Sequence, residues 1–326
     1  MKTDIALNSY LPSLFSGLRE NGINPDKFIR SSYLRKLDLT DPDKYIPNEL
    51  LGDLLLDIRN QLGVDSLVVD FKEHFRSTNM GFVSSYLYQS PNFLCFLENA
   101  IKCHKMLRSN YSMALDISGN LSRFSVKINE AQGHGKLISE EIDIARILDA
   151  FMLVGGKEFQ PIELGITAET CNILESIFPK GDYPVKLNQN ESWVLFKTSL
   201  LAKPVPEVAV DSNGINTLYD DSTNAFKIER MLESFKVGHI PSLDELSDLL
   251  NVSRKTIERR LQQEGTHFME IKKRFLKRKS YELLNDPGLS IKEISEQLDY
   301  ANSQNFIRKF KAMNGLTPSQ YRSGLE

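Results

Sequence analysis

The chain has 326 residues, of which 41% are hydrophobic and 25% are charged. These proportions exclude a collagen-like, a disulfide-rich and a wholly disordered chain, and the length favours two domains. The longest apolar runs are far shorter than the roughly 20 residues that span a bilayer, and the first residues lack the apolar core of a signal peptide. We therefore expect a cytoplasmic protein with no membrane span.

The net charge of −3 is divided unevenly along the chain. Residues 1–222 carry 22 basic and 29 acidic side chains, whereas residues 223–326 carry 18 basic and 14 acidic ones. The stretch 251–279 alone holds ten Lys or Arg against three acids. A basic segment on an otherwise acidic chain indicates a nucleic-acid module, although a solvated helix face has the same composition.

Helical patterns dominate the first hundred residues. Apolar residues recur at helical spacing over 7–21, 47–62 and 90–108. Apolar and polar side chains then alternate over 111–117 and 124–128 around a Ser-Gly-Asn turn, which predicts a β-hairpin.

Further elements complete an α+β regulatory domain over residues 1–203. We predict helices over 139–154 and 168–177 and strands over 161–166, 185–187 and 193–196. The apolar side chains of the hairpin line either a ligand cavity or only the core; they are Met113, Leu115, Phe124, Val126 and Ile128.

The predicted regulatory domain, residues 1–203, contains no catalytic or metal-binding pattern. The segment Gly133-His134-Gly135-Lys136 lacks the spacing of a phosphate-binding loop and is more typical of a turn. Cys95, Cys103 and His104 could bind a metal, but on an apolar helix such residues are more typical of core packing. With Cys171 the chain has three scattered cysteines, too few for a disulfide framework. We predict no catalytic residue, no metal site and no cofactor.

A linker is predicted over residues 204–222. Pro204, Pro206 and the segment Asp211-Ser212-Asn213-Gly214 interrupt the apolar periodicity there. Residues 223–326 are then expected to form an all-α domain that opens with a helix over 224–237.

Two short helices around a tight turn follow that first helix. Ser242 and Glu245 form the capping-box pattern in front of a stripe of leucines. Asn251 tolerates the left-handed backbone of a turn, and Ser253 can cap the next helix. That second helix, over 254–263, has a narrow apolar face, so most of its surface faces solvent or a partner.

The same pattern recurs about 48 residues later. Ser290 and Glu293 repeat the capping box, and residues 306–310 repeat the apolar-x-Arg-x-apolar core of residues 257–261. A continuous helix over 268–284 joins the two copies. Short paired helices of which the second is polar predict a helix-turn-helix, so the domain holds two such units.

The repeated domain resembles AraC/XylS-type transcription regulators. The resemblance is carried by Phe268 and the segments 284–294, 306–310 and 314–322, and it covers about a hundred residues. It implies two helix-turn-helix units whose second helices enter successive major grooves of DNA. The chain departs from the family pattern at four positions: Ser247 and Ser295 replace Ala, Leu276 replaces Arg, and Asp299 replaces Gly.

The resemblance also implies which side chains contact DNA. Bases would be read by Lys255, Glu258, Arg259, Ser303, Gln304, Ile307 and Arg308. Arg suits guanine, Gln suits adenine, Glu suits cytosine, and Ile suits the methyl group of thymine. Phosphates would be contacted by Arg254, Thr256, Arg260, Lys273 and Lys309. For each residue the alternative is a solvated surface side chain.

The first domain resembles the arabinose-binding type of N-terminal domain found in some AraC regulators, on Met80-Gly81-Phe82 and the segment 178–185. That resemblance implies effector sensing or dimerisation, the latter through a helix with apolar residues on more than one side, at 142–153. We predict a DNA-binding transcription regulator, an activator and not an enzyme. Its expected partners are promoter DNA, RNA polymerase, a small-molecule effector and a second copy of the chain. The alternative is a DNA-repair methyltransferase-type enzyme fused to an AraC-type module.

Overall fold

The computed structural model describes residues 4–128, 136–156, 159–168, 183–209 and 223–324, which group into two compact units. Residues 4–31 and 39–209 belong to the N-terminal unit, and residues 32–38 belong with 223–324 to the C-terminal unit. The helix predicted over 168–177, the turn at Gly133 and most of the predicted linker lie outside the described residues.

The N-terminal unit opens with a small sheet that the sequence did not predict. Strand β1 (Ile5–Leu7) pairs antiparallel with β2 (Tyr45–Pro47), with Ala6 opposite Ile46. The helix expected from residue 7 was therefore wrong at its start, because residues 5–7 are extended. This helix, α1, covers Leu11–Glu20.

The described residues of this unit hold five more α-helices. They are α2 (Asn48–Leu62), α3 (Leu67–Asp70), α4 (Phe82–Tyr88), α5 (Phe93–Leu107) and α6 (Lys136–Gly155). The predictions of α2, α5 and α6 are confirmed to within three residues at each end, whereas the short helices α3 and α4 were missed. The side chain of Asn92 caps α5 by accepting from the Cys95 amide at 2.9 Å.

A five-stranded sheet lies against α5 and α6. Its strands are β3 (Tyr111–Ser118), β4 (Leu121–Ile128), β5 (Glu163–Gly165), β6 (Val185–Lys186) and β7 (Ser192–Lys197). The order is β3-β4-β7-β5-β6, and only the pair β5 and β6 is parallel. The predicted hairpin of β3 and β4 is confirmed, with Gly119 at φ +58° in its turn. The ring of Phe151 on α6 packs 4.8 Å from Phe93 on α5 and 4.9 Å from Phe196 on β7, which joins helices and sheet in one core.

The helix 142–153 does not offer the dimer surface suggested by its composition. Ile142, Leu148 and Phe151 are fully buried, and no residue of this segment is exposed. The segment is therefore enclosed by the rest of the N-terminal unit.

The C-terminal unit is all-α apart from one short strand contact. Its helices are α7 (Asn224–Glu233), α8 (Leu243–Leu249), α9 (Arg254–Gln263), α10 (Phe268–Leu284), α11 (Ile291–Gln297), α12 (Ser303–Asn314) and α13 (Pro318–Ser323). The predicted bounds of α9 and α10 are confirmed to the residue, and α7 ends four residues earlier than expected. No helix in the described part of the chain is long and apolar enough to cross a membrane.

Candidate nucleic-acid interface

The two predicted capping boxes are present and nearly identical. At α8 the Glu245 amide donates to the Ser242 hydroxyl at 3.2 Å, and the Ser242 amide donates to the Glu245 carboxylate at 3.0 Å. At α11 the corresponding distances between Ser290 and Glu293 are 3.2 and 2.7 Å. Each box satisfies helix amides that would otherwise lack an acceptor, so both units begin on the same local geometry.

The turns of the two units are also equivalent. Asn251 has φ +49° and Asp299 has φ +58°, the left-handed backbone in which Gly is the usual residue. Asp299 therefore adopts the turn in place of Gly, and its carboxylate accepts from the Ile240 amide at 3.1 Å. After each turn a polar side chain caps the following helix: Ser253 accepts from the Thr256 amide at 3.2 Å, and Asn302 accepts from the Asn305 amide at 2.9 Å.

The two serines in the supporting helices find hydrogen-bond partners inside the units. The Ser247 hydroxyl donates to the Val252 carbonyl at 2.7 Å and closes the first turn. The Ser295 hydroxyl donates to the Lys292 carbonyl at 2.7 Å and lies 3.3 Å from the hydroxyl of Ser303. A hydroxyl is thus accommodated where the family pattern has a methyl group, because its hydrogen-bonding capacity is used.

The polar faces of α9 and α12 point to solvent. On α9, Ile257 and Leu261 are buried while three base-reading candidates are exposed: Lys255, Glu258 and Arg259. On α12, Phe306 and Phe310 are buried while three others are exposed: Gln304, Ile307 and Arg308. Among the base-reading candidates only Ser303 is half-buried, because it faces Ser295.

The phosphate candidates lie in different environments. Arg254, Lys273 and Lys309 are exposed, whereas Thr256 and Arg260 are half-buried. The Thr256 hydroxyl lies 2.9 Å from that of Ser253, beside the first turn of α9.

Arg254 joins two acids at the start of α9. It pairs with Glu258 at 3.0 Å and with Asp244 at 3.3 Å, and the hydrogen bond to Glu258 contributes most to raising its pKa. Glu258 is thus already engaged in the DNA-free protein.

Most of the basic run on α10 is used inside the unit. Arg274 and Arg278 pair with glutamates of α7, Lys279 pairs with a glutamate of its own helix, and Lys272 donates to two backbone carbonyls. Burial lowers the pKa of Lys272. Lys273 is exposed and forms no ion pair with any described residue. The excess charge of this helix is therefore smaller at its surface than the sequence indicated.

Sequence reasoning missed two supports of the unit, namely the closing contacts of Arg322 and the segment 32–38. The guanidinium of Arg322 donates to the carbonyls of Leu284 at 3.2 Å and Leu289 at 2.8 Å, so α13 closes the end of α10. Leu276 packs against the core of the second helix-turn-helix, where the family pattern has Arg. An Arg in a short terminal helix was the available sequence signal for the first of these.

The second support is the segment 32–38, which belongs to the C-terminal unit. Leu37 is fully buried and forms a β-bridge with Phe235. Lys36 pairs with Glu245 at 2.6 Å, and this hydrogen bond is the largest cause that lowers the pKa of Glu245 to about 2. Nothing in the local pattern of residues 32–38 indicates this association.

The described cysteines do not form a reactive or metal-binding cluster. Cys103 is buried, and burial raises the pKa of its thiol to about 12, so a nucleophilic thiolate is disfavoured. The Nδ1 of His104 contacts the Ile101 carbonyl one turn earlier on α5. Among the described residues no group of three His, Cys, Asp or Glu could hold a metal ion. Cys171 lies outside the described residues.

Residues 246–324 match the family model for a helix-turn-helix domain. The matched residues make up less than half of the chain. The match begins within α8 and covers α9, the linking helix α10 and the whole second helix pair. The structural predictions for the C-terminal domain agree with this family.

Several known relatives match over part of the chain. The uncharacterized HTH-type transcriptional regulator YtdP of Bacillus subtilis is 34% identical over 82 residues, which cover 25% of this chain and 11% of YtdP. The HTH-type transcriptional activator CfaD of Escherichia coli is 30% identical over 109 residues, which cover 33% of this chain and 41% of CfaD. These matches span less than half the length of either relative.

One relative matches along nearly the whole chain. The ornithine utilization regulator of Pseudomonas aeruginosa is 18% identical over 322 residues, which cover 96% of this chain and 95% of that protein.

Proposed function

We propose that the chain is a DNA-binding transcription activator that places α9 and α12 in two successive major grooves of promoter DNA. The observation that carries the proposal is the duplicated geometry: each unit has a capping box, a left-handed turn and a capped second helix with an exposed polar face. Helices of this kind present base-reading side chains to the major groove. The names of CfaD and of CsvR, another Escherichia coli activator, support the activating role.

The N-terminal unit would control this activity by binding an effector, by dimerisation, or by both. Such a unit would be of the arabinose-binding type, and the weak match along nearly all of the ornithine utilization regulator supports a shared two-part organisation. RNA polymerase is the partner that activation requires. For a homodimer, Ile117 and Leu121 at the tip of the β3–β4 hairpin are exposed by 53% and 40% and are available for contact. The buried Cys103 gives no support to the methyltransferase alternative.

DNA binding would rearrange the cluster at the start of α9. Arg254 is held by Asp244 and Glu258 in the free protein, and a phosphate oxygen can replace these carboxylates. Release of Arg254 frees Glu258 to accept from the amino group of cytosine.

The test compares a base-reading candidate with a phosphate candidate. Arg259→Ala should alter the selected sequences in a site-selection assay, with a loss of about 1–3 kcal/mol of discrimination at one position. Lys273→Ala should weaken binding to all sequences alike. It should also reduce the slope of log affinity against log salt concentration by about one. If Arg259→Ala weakened binding to all sequences equally, its base-reading role would be contradicted. Equal binding of the wild-type chain to DNA of every sequence would contradict the proposed function.

A further inference from the structure

A cavity lies inside the N-terminal unit between α5, α6 and the β3–β4 hairpin. Its volume is about 80 Å³, and it is partly open to solvent. Met113 and Phe124 line it, whereas the other hairpin residues singled out in the sequence do not. Most of its wall is apolar, including Leu87, Phe96 and Ile147.

The polar groups of the wall are centred on Tyr10. The Arg108 guanidinium donates to the Tyr10 hydroxyl at 3.0 Å, and the Arg146 guanidinium lies 5.0 Å from the centre of the Tyr10 ring. Arg146 also donates to the hydroxyl and the carbonyl of Ser9 at 2.7 and 2.8 Å. Both guanidinium groups are therefore fixed beside one another in the wall, and each side chain is only 6% exposed.

The charges in this wall are not balanced. Asp143 is the one acid among the lining residues, against Arg108 and Arg146. Its Oδ2 has no hydrogen-bond partner among the described residues, and neither has the Nε of Arg146. Two other acids act on these arginines from behind the wall, but Asp149 is paired with Arg76 at 2.8 Å, and Glu140 accepts from a threonine. A buried cation without a close counter-ion is costly, so the wall is arranged to receive an anion.

The side chains of the wall restrict the chemical class of ligand that the cavity can bind. A guanidinium binds a carboxylate through parallel hydrogen bonds, and one added negative charge balances two arginines and one aspartate. A sugar would need several polar partners, but the Ser77 hydroxyl already contacts Asp149 and Tyr88. The rest of the wall is mostly apolar, so it suits an apolar body.

We propose that this cavity binds a small monocarboxylate with an apolar chain or ring, whose carboxylate lies against Arg108 and Arg146. The inference rests on the proposed effector control and names the chemical class of the effector. Its apolar body would lie along Phe96, Phe124 and Ile147.

The experiment uses the full chain and calorimetric titration without DNA. The probes are octanoate and 4-phenylbutyrate, with octanamide and 4-phenylbutyramide as uncharged analogues of the same shape. At least one acid should bind, and its amide should bind at least tenfold more weakly. No binding of either acid, or equal affinity for acid and amide, would overturn the proposal.

Variants locate the site. Arg146→Gln should reduce affinity for the acid at least tenfold, whereas Arg123→Gln should not, since Arg123 is a half-buried arginine that pairs with Glu191 and does not line the cavity. Because Arg146→Gln removes buried hydrogen bonds, Met113→Trp provides a second variant that fills the cavity without changing its charge. Circular dichroism checks that Met113→Trp folds, and undiminished binding by this folded variant would place the ligand elsewhere.

The proposed DNA-binding function and the proposed ligand class can be refuted independently. Site selection on DNA tests the proposed function in the absence of any ligand, and calorimetry tests the cavity in the absence of DNA. A chain that selects DNA sequences but binds no acid refutes only the ligand class, and the reverse result refutes only the DNA-binding role.

Discussion

Two neighbouring residues on α12 allow its structural role to be separated from its proposed base-reading role. Phe306 is fully buried and packs 5.4 Å from the ring of Tyr300 and 5.7 Å from that of Phe310. Ile307, the next residue, is 36% exposed. Phe306→Ala should therefore destabilise the C-terminal unit, whereas Ile307→Ala should alter only its surface.

The expected magnitudes differ severalfold. Removing a fully buried Phe ring costs about 3–5 kcal/mol, and in a domain of about 100 residues 1 kcal/mol lowers the unfolding midpoint by about 4–8 °C. Phe306→Ala should then lower the midpoint of the C-terminal unit by at least about 12 °C. Ile307→Ala at a half-open surface should change stability by no more than about 0.5 kcal/mol, while changing base preference at one position.

The single tryptophan gives this assay an internal reference. Trp193 lies on β7 of the N-terminal unit, so its fluorescence follows the unfolding of that unit, whereas far-ultraviolet circular dichroism follows both. Phe306→Ala should shift the dichroism transition of the helical C-terminal unit and leave the Trp193 transition in place. Equal shifts for Phe306→Ala and Ile307→Ala would refute the assignment of buried and exposed faces on α12.

Two further outcomes are expected. Ser242→Ala and Ser290→Ala should each lower the stability of the C-terminal unit by about 1 kcal/mol, because each removes the same capping contact; thermal melts that show a cost for only one would contradict the equivalence of the two units. Burial raises the pKa of Asp143 to about 6, against the opposing effect of Arg108 and Arg146. The folded state thus binds this proton more tightly than the unfolded state, so its stabilising effect is complete below about pH 4 and is lost as the pH rises through about 6. In Asp143→Asn, the unfolding midpoint reported by Trp193 should no longer fall as the pH rises from about 4 to about 6. A pH profile equal to that of the wild type would contradict this role of Asp143.

The elements that the sequence predicted best are those with local boundaries. The helix α10 was placed to the residue because Gly265 precedes it and Asn285-Asp286-Pro287-Gly288 follows it, and these residues stop a helix by their own backbone preferences. The start of α1 was wrong because the pairing of Ile5–Leu7 with Tyr45–Pro47 joins segments about 40 residues apart. No local periodicity records such a pairing.

The two candidate sites differ in the same way. The exposed faces of α9 and α12 follow from helical spacing around Ile257 and Phe306, so the sequence alone orients their polar residues. The cavity required Tyr10, Arg108 and Arg146 to converge from α1's first turn, the end of α5 and the middle of α6. Each of these arginines is unremarkable in its own segment, and only the tertiary fold makes them a site.

The segment 32–38 changes how this protein can be divided. It lies within the sequence of the N-terminal unit but contributes Leu37 and Lys36 to the C-terminal one, so the chain passes between the units at 31–32 and 38–39 as well as after residue 209. A chimera made by exchanging everything after the linker would transfer the C-terminal unit without seven of its residues and would leave Phe235 without its strand partner. Exchange of domains in this chain is therefore constrained at a position far from the linker in the sequence.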